Sequence, residues 1–186
     1  MKMTDIKRPL WAQTTKEMQD YYDNEWGIEC HDDRQLFEML SLETYQIGLS
    51  WQTVLNKREA FNQAFYHYDI DRVSSMTDED VDKLLQNPQI IRNRRKLEST
   101  IHNAQVILRI IKTSGSFDNY LWSLSEDFPV VIKVGEDDVL PPKTDLSIEI
   151  TNQLKKTGFK MVGPVTIFSF MQAAGLVNGR LDNQAQ

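Results

Sequence analysis

The stretch "QNPQIIRN" (Gln86 to Asn93) constrains the chain most, because it ends one helical pattern and starts another. Ahead of it, Thr77 opens a segment in which Val81, Leu84 and Leu85 share a helical face. Asn87 and Pro88 must end that helix, since proline has no backbone N–H and pushes the residue before it out of helical geometry. Behind the break, Leu97, Ile101, Ala104, Leu108 and Ile111 recur every three or four residues. The pattern predicts helix, tight hairpin, helix. Turn amides and a following helix N-terminus bind a phosphate without reading sequence, although a plain helix–helix connection has the same outline. Ile90 and Ile91 sit at the turn and Arg92, Arg94, Arg95 and Lys96 follow, which favours the DNA reading; the glycines usual in such hairpins are absent.

Helical signals continue on both sides. Asp32 caps a helix, with Gln35 three residues on, that should run to about Ile47 and stop at Gly48. Ser50 caps another, carrying Trp51, Val54, Leu55, Phe61 and Phe65 on one face. A helix around "FDNYLWSL" follows Gly115, and "FPVVIKVGEDDVLPPKTD" reads as irregular chain with at most one short extended piece. Thr144 restarts helix as far as Gly158, and Pro164 suits the first turn of a last buried helix ending near Gly175. With no repeat and no linker long enough to separate domains, residues 1–186 are expected to form a single all-α domain.

Composition narrows the function. At 186 residues, 40% hydrophobic and 26% charged, the sequence is that of a soluble globular protein. The first residues hold no apolar run for a signal peptide, and the longest apolar stretch, "MVGPVTIFSFMQAAGLV", is broken by Pro164 and Gln172. The expectation is a cytoplasmic protein without a membrane partner. One cysteine, Cys30, excludes an internal disulfide. A net charge of -6 argues against a protein that coats nucleic acid non-specifically, yet it leaves room for a local site. Lysine and arginine gather in "RNRRK" and "KKTGFK", while Glu17 to Asp33 holds seven acids and no Lys or Arg. Such runs are also what solvated helix surfaces look like.

Two features carry possible chemistry. In "LFEMLSLETYQIGLSW", Leu36, Leu40, Glu43 and Ile47 fall on one helical face, which puts a carboxylate in an apolar stripe. Such a group needs a structural partner, for instance Arg58, or a ligand. In "YYDNEWG", two tyrosines and Trp26 precede a glycine, a pattern that ordinary aromatic core also gives. Other chemistries fit badly. His31, His67 and His102 lie apart, adjacent Cys30 and His31 cannot make a metal site alone, and there is no glycine-rich phosphate loop and no G-x-S-x-G.

Taken together, "YYDNEWG", "LFEMLSLETYQIGLSWQTVLNKREAF", "IIRNRRKLESTIHNAQ" and "GFKMVGPVTIFSFMQAAGLVNG" resemble the DNA-3-methyladenine glycosylase I family, from about Trp11 to Asn178 and in the same order. The resemblance implies the helix-hairpin-helix DNA glycosylase fold, a compact two-lobed helical domain with its hairpin element at about residues 78–112. It implies a monomeric, monofunctional enzyme that binds double-stranded DNA containing alkylated bases, flips out 3-methyladenine and hydrolyses its N-glycosidic bond. A non-catalytic damaged-DNA binding protein of the same fold is the alternative. Carried over residue by residue, Glu43 and Tyr21 are catalytic, and Trp11, Tyr21, Trp26, Glu43 and Trp51 bind the base, with Trp51 stacking on it. Gln46, Gly48 and Leu49 belong to the loop that fills the gap left in the duplex, and Ile90, Ile91, Arg92, Asn93, Arg94 and Arg95 to the hairpin that grips the backbone. The aspartate used by most of the superfamily has no counterpart, and no lysine is placed as a nucleophile.

This sequence departs from the family at one point. Relatives tie their termini through zinc, and the corresponding positions here are about Pro9, Tyr22, Arg180 and Gln184, none a usual ligand. No metal and no cofactor are therefore expected. Tyr22, Arg180 and the apolar pair Leu10 and Leu181 remain to pin the same segments.

Overall fold

The structure, a computed structural model, describes residues 6–181. Its helices begin where short polar side chains stand ready to cap them. A 3-10 turn, Leu10–Gln13, leads to α1 (Lys16–Asn24), capped by Thr15. Asp32 accepts from the Gln35 amide at 2.8 Å and opens α2 (Asp33–Tyr45). Ser50 opens α3 (Trp51–Asn56), which is followed by α4 (Arg58–Ala64), a short 3-10 turn and α5 (Ile70–Ser74). Thr77 and Asp80 form a capping box at α6 (Asp78–Leu84), and Asn93 caps α7 (Arg94–Ser114). The hairpin expected at Asn87 and Pro88 joins these two. Then come α8 (Phe117–Trp122), α9 (Asp145–Thr157), closed by Gly158 in the left-handed region, and α10 (Pro164–Ala173) with its proline in the first turn.

The fold is all-α but for two-residue strands, β1 (Val130–Val131) and β2 (Val177–Asn178), paired in parallel. β1 is the one extended piece anticipated between α8 and α9. Its pairing brings the acidic loop that follows it beside the last described residues. Leu36 and Leu40 of α2, Leu97 and Ala104 of α7, and Ile167 and Met171 of α10 meet in one apolar core. No helix among the described residues is long and apolar enough to cross a membrane.

Two helix boundaries differ from the sequence reading. The helix expected from Ser50 through Phe65 is split at Lys57, whose ammonium donates to the Gln89 carbonyl at 3.1 Å. Beside it, Arg58 donates to Glu25 and to Glu38. These are tertiary partners, and apolar periodicity does not record them. At the other boundary α2 stops at Tyr45, so Ile47 falls outside the buried stripe and is 42% exposed.

Two glycines fix how the segment after α1 meets the end of α10. Gly27 has φ +76°, and a Cβ there would meet Cγ of Arg180 at 2.7 Å. Gly175 has φ +77°, and a Cβ there would lie 2.5 Å from the backbone nitrogen of Glu29. The Cys30 amide donates to the Ala174 carbonyl at 3.0 Å across the same contact. Gly175→Ala therefore combines left-handed strain with a backbone clash. It should lower unfolding stability by about 2 kcal/mol or more, measured by urea titration.

Candidate active site

A cavity of about 660 Å³ opens between α1, the end of α2 and the loop after β1. Trp11 comes to it from the 3-10 turn, Tyr21 from α1, Trp26 from the residues just after α1, Glu43 from the last turn of α2, Gln46 from the residue that ends it, and Trp51 from the start of α3. All five residues expected to bind a base thus line one space. Trp11 packs edge-on to Trp26 at 5.4 Å between ring centroids, and Tyr21 lies 5.3 Å from Trp51. The opposite wall was not legible in the sequence: it comprises residues 134–140 with Ser169, Gln172 and Leu181. The run of Glu136, Asp137 and Asp138 reads only as irregular chain. What places it here is the parallel pairing of β1 with β2, and no local pattern signals that.

Glu43 is 6% exposed and makes no hydrogen bond or ion pair with any described residue. Arg58, the structural partner considered for it, is committed to Glu25 and Glu38. Burial alone pushes the Glu43 carboxyl up to about 8, so in the free protein at neutral pH it is mostly protonated. Tyr21 is also raised, first by burial and then by Glu43, and is a neutral phenol. The indole nitrogen of Trp51 is buried without a hydrogen-bond partner. An aromatic-walled cavity thus holds a carboxyl that the protein itself leaves without a partner, and one of its walls, Trp51, keeps an unsatisfied indole N–H.

Arg180 clasps the aromatic wall from behind. Its Nη1 donates to the Tyr22 and Trp26 carbonyls, both at 2.6 Å, and its guanidinium lies 4.5 Å over the Tyr22 ring. The Tyr22 hydroxyl accepts from the Leu181 amide at 3.0 Å. The zinc tie implied by the resemblance does not fit here. A guanidinium has no lone pair for a metal, and these donors already fill the space with a cation. Gln184 lies outside the described residues. The apolar half of the expected substitute does not form as anticipated: Leu181 is buried, but Leu10 is 72% exposed at the cavity mouth. Among the described residues no group of three His, Cys, Asp or Glu is placed to hold a metal. His31 instead pairs with Asp118 at 2.8 Å and stacks on Trp122.

Beside the cavity, Ile47 and Leu49 are 42% and 39% exposed on a loop turned by Gly48 at φ +79°. The hairpin residues divide in role. Ile90 is buried in the core and Ile91 packs against it. The Asn93 side chain caps α7, and Arg94 is paired with Asp82 and Glu98. Arg92 and Arg95 are exposed. Lys96, grouped with them in the sequence, is buried.

A family model described as methyladenine glycosylase matches residues 11–185. The chain is 42% identical over 173 residues to DNA-3-methyladenine glycosylase 1 of Escherichia coli, covering 93% of this chain and 92% of that one. It is 40% identical over 164 residues to DNA-3-methyladenine glycosylase of Haemophilus influenzae, covering 88% and 89%. Among solved structures, a tyrosine-to-phenylalanine variant of 3-methyladenine DNA glycosylase I in complex with 3-methyladenine superposes with a TM-score of 0.87 at 36% identity, covering 91% of each chain.

The raised Glu43 carboxyl makes a signed prediction. Between its ordinary value of 4.5 and about 8 the folded state holds a proton that the unfolded state releases, so Glu43 costs stability as pH rises through that window. The slope from this group approaches about 1.4 kcal/mol per pH unit. Melting curves of the wild type should therefore fall from pH 5 toward pH 8 more steeply than those of Glu43→Gln, and the variant should be the more stable of the two at pH 8.

Proposed function

The chain belongs to the methyladenine glycosylase family, and on that footing we propose that it excises 3-methyladenine from alkylated double-stranded DNA. The damaged nucleotide leaves the stack and its base enters the aromatic cavity. Water then replaces the base at the sugar carbon: the glycosidic bond breaks with its electron pair leaving on the base, and water gives up a proton as the new C–O bond forms. A base methylated at N3 and still attached to sugar is cationic, so it leaves as a neutral molecule and needs little further activation. Selecting that base is the harder half of the task.

The observation that carries this reading is the unpartnered Glu43 among Trp11, Tyr21, Trp26 and Trp51. Aromatic faces attract a cation, and a cation beside Glu43 favours its ionised form, offsetting the burial that keeps it protonated in the free protein. The carboxylate then accepts from the exocyclic amine. Neutral adenine brings no charge to draw the proton off and is left with a poorer partner. No lysine lines the cavity among the described residues, which supports hydrolysis by water over an amine nucleophile and a monofunctional enzyme without strand cleavage. Ile47 and Leu49, exposed beside the cavity, are suited to fill the gap in the duplex, while Arg92 and Arg95 stand free for phosphates.

Base release from methylated duplex DNA, separated by chromatography, tests the activity. The expected product is 3-methyladenine, with 7-methylguanine largely left in place. No release above a heat-corrected blank would leave only a damage-binding protein of this fold. Glu43→Gln should stay folded yet release 3-methyladenine from methylated duplex about ten- to a hundredfold more slowly, since a lost charge-assisted bond to the cationic base costs about 1.5 to 3 kcal/mol. Equal release rates of the two proteins would assign Glu43 a structural role.

The Arg180 clasp also carries an expectation about metal. Protein purified without chelator should contain no stoichiometric zinc, and a strong chelator should leave its melting temperature unchanged. Elemental analysis near one zinc per chain would overturn this.

A further inference from the structure

Lys96 is the one buried lysine among the described residues, 5% exposed, and its position is electrostatically awkward. It lies in the first turn of α7, three residues after the Asn93 cap, where the helix dipole disfavours a cation. Its ammonium leaves that helix and donates to the carbonyl of Tyr45, the last residue of α2, at 2.8 Å and to that of Ile47, two residues beyond it, at 2.6 Å. The first is a group that the end of a helix leaves without an intrahelical donor. Burial lowers its proton affinity, yet Lys96 does not line the cavity, so this buried amine is not aimed at a bound base. Its two acceptors bracket the start of the exposed Ile47–Leu49 loop, and Tyr45 is two residues beyond Glu43. On the other side, α7 begins directly at the hairpin. Lys96 is thus a polar tie between the element suited to hold phosphates and the loop suited to enter the duplex.

We propose that Lys96 is a positioning residue that couples the two: by fixing the Tyr45 and Ile47 carbonyls to the first turn of α7, it sets how far the Ile47–Leu49 loop reaches into DNA held by the hairpin. The proposal rests on the glycosylase reading and deepens it. Lys96→Met keeps the length and apolar stem but removes the donors, so it disturbs the tie more than the packing.

Three measurements on the full chain test it. Affinity for a duplex with an abasic-site analogue reads loop insertion without needing activity, release of 3-methyladenine from methylated duplex reads the reaction, and calorimetry with free 3-methyladenine reads the pocket alone. Lys96→Met should lose roughly ten- to a hundredfold in base release, the effect of misplacing a reacting geometry by about an ångström. It should also bind the abasic duplex more weakly, while its affinity for the free base stays that of the wild type. If Lys96 acts through the loop, adding Lys96→Met to Leu49→Ala should cost little beyond the worse single change. Losses that multiply in the double variant, equal losses in free-base and duplex binding, or unchanged duplex binding would each overturn the proposal. Should Lys96→Met not fold, Lys96→Gln, a shorter and uncharged donor for these carbonyls, undergoes the same comparison with the same expected direction. A wild type that binds the abasic duplex but releases no base refutes the glycosylase reading instead, and the coupling is still decided by duplex affinity.

Discussion

A carboxyl group can stay unpaired in a protein interior only if the chain on both sides of it cannot move, and the packing of α2 supplies that condition around Glu43. Leu36, Phe37 and Leu40 of this helix are all but fully buried in the core, and the Thr44 hydroxyl donates back to the Leu40 carbonyl. Swinging Glu43 toward water would unseat this face, at a cost of about 1.5 to 3 kcal/mol for each large apolar side chain exposed. The nearby cation offers no relief, because Arg58 is held by two carboxylates of its own. The aromatic walls of the cavity thus stand around a carboxyl that its helix is too well anchored to release.

The same economy governs the rest of the charge. The chain as a whole is acidic, yet a backbone-binding surface needs only a few cations free of local partners. Arg94 is neutralised by Asp82 and Glu98, and Lys96 is spent inside the fold. The exposed Arg92 and Arg95 are left at the hairpin, and the exposed Lys155, Lys156 and Lys160 lie on and just after α9. The basic run that looked uniform in the sequence is divided by structure into exposed cations, a surface ion pair and an internal tie.

How much of this was legible depended on whether the signal was local. Helix starts at Asp32, Ser50, Thr77 and Thr144 could be read because a capping side chain and its amide sit within three residues. Glu43 stood out because its neighbours at helical spacing are apolar, and the aromatic residues could be grouped once several motifs occurred together in order. The break at Lys57, the clasp of Arg180 on the Tyr22 and Trp26 carbonyls and the burial of Lys96 were not readable. Each joins a side chain to a main-chain oxygen far away in sequence, and a backbone oxygen leaves no mark on residue identity. The wall formed by residues 134–140 was hidden for a similar reason, since a parallel strand pair two residues long has no periodicity to detect.

The crowding of indoles around the cavity has an optical consequence. Of four tryptophans, Trp11, Trp26 and Trp51 line that space, while Trp122 stacks on His31 away from its lining. Three of the four indoles therefore stand at the walls that a guest would touch, with a buried carboxyl among them. A guest in the cavity would change the surroundings of those three chromophores and leave the fourth as it was.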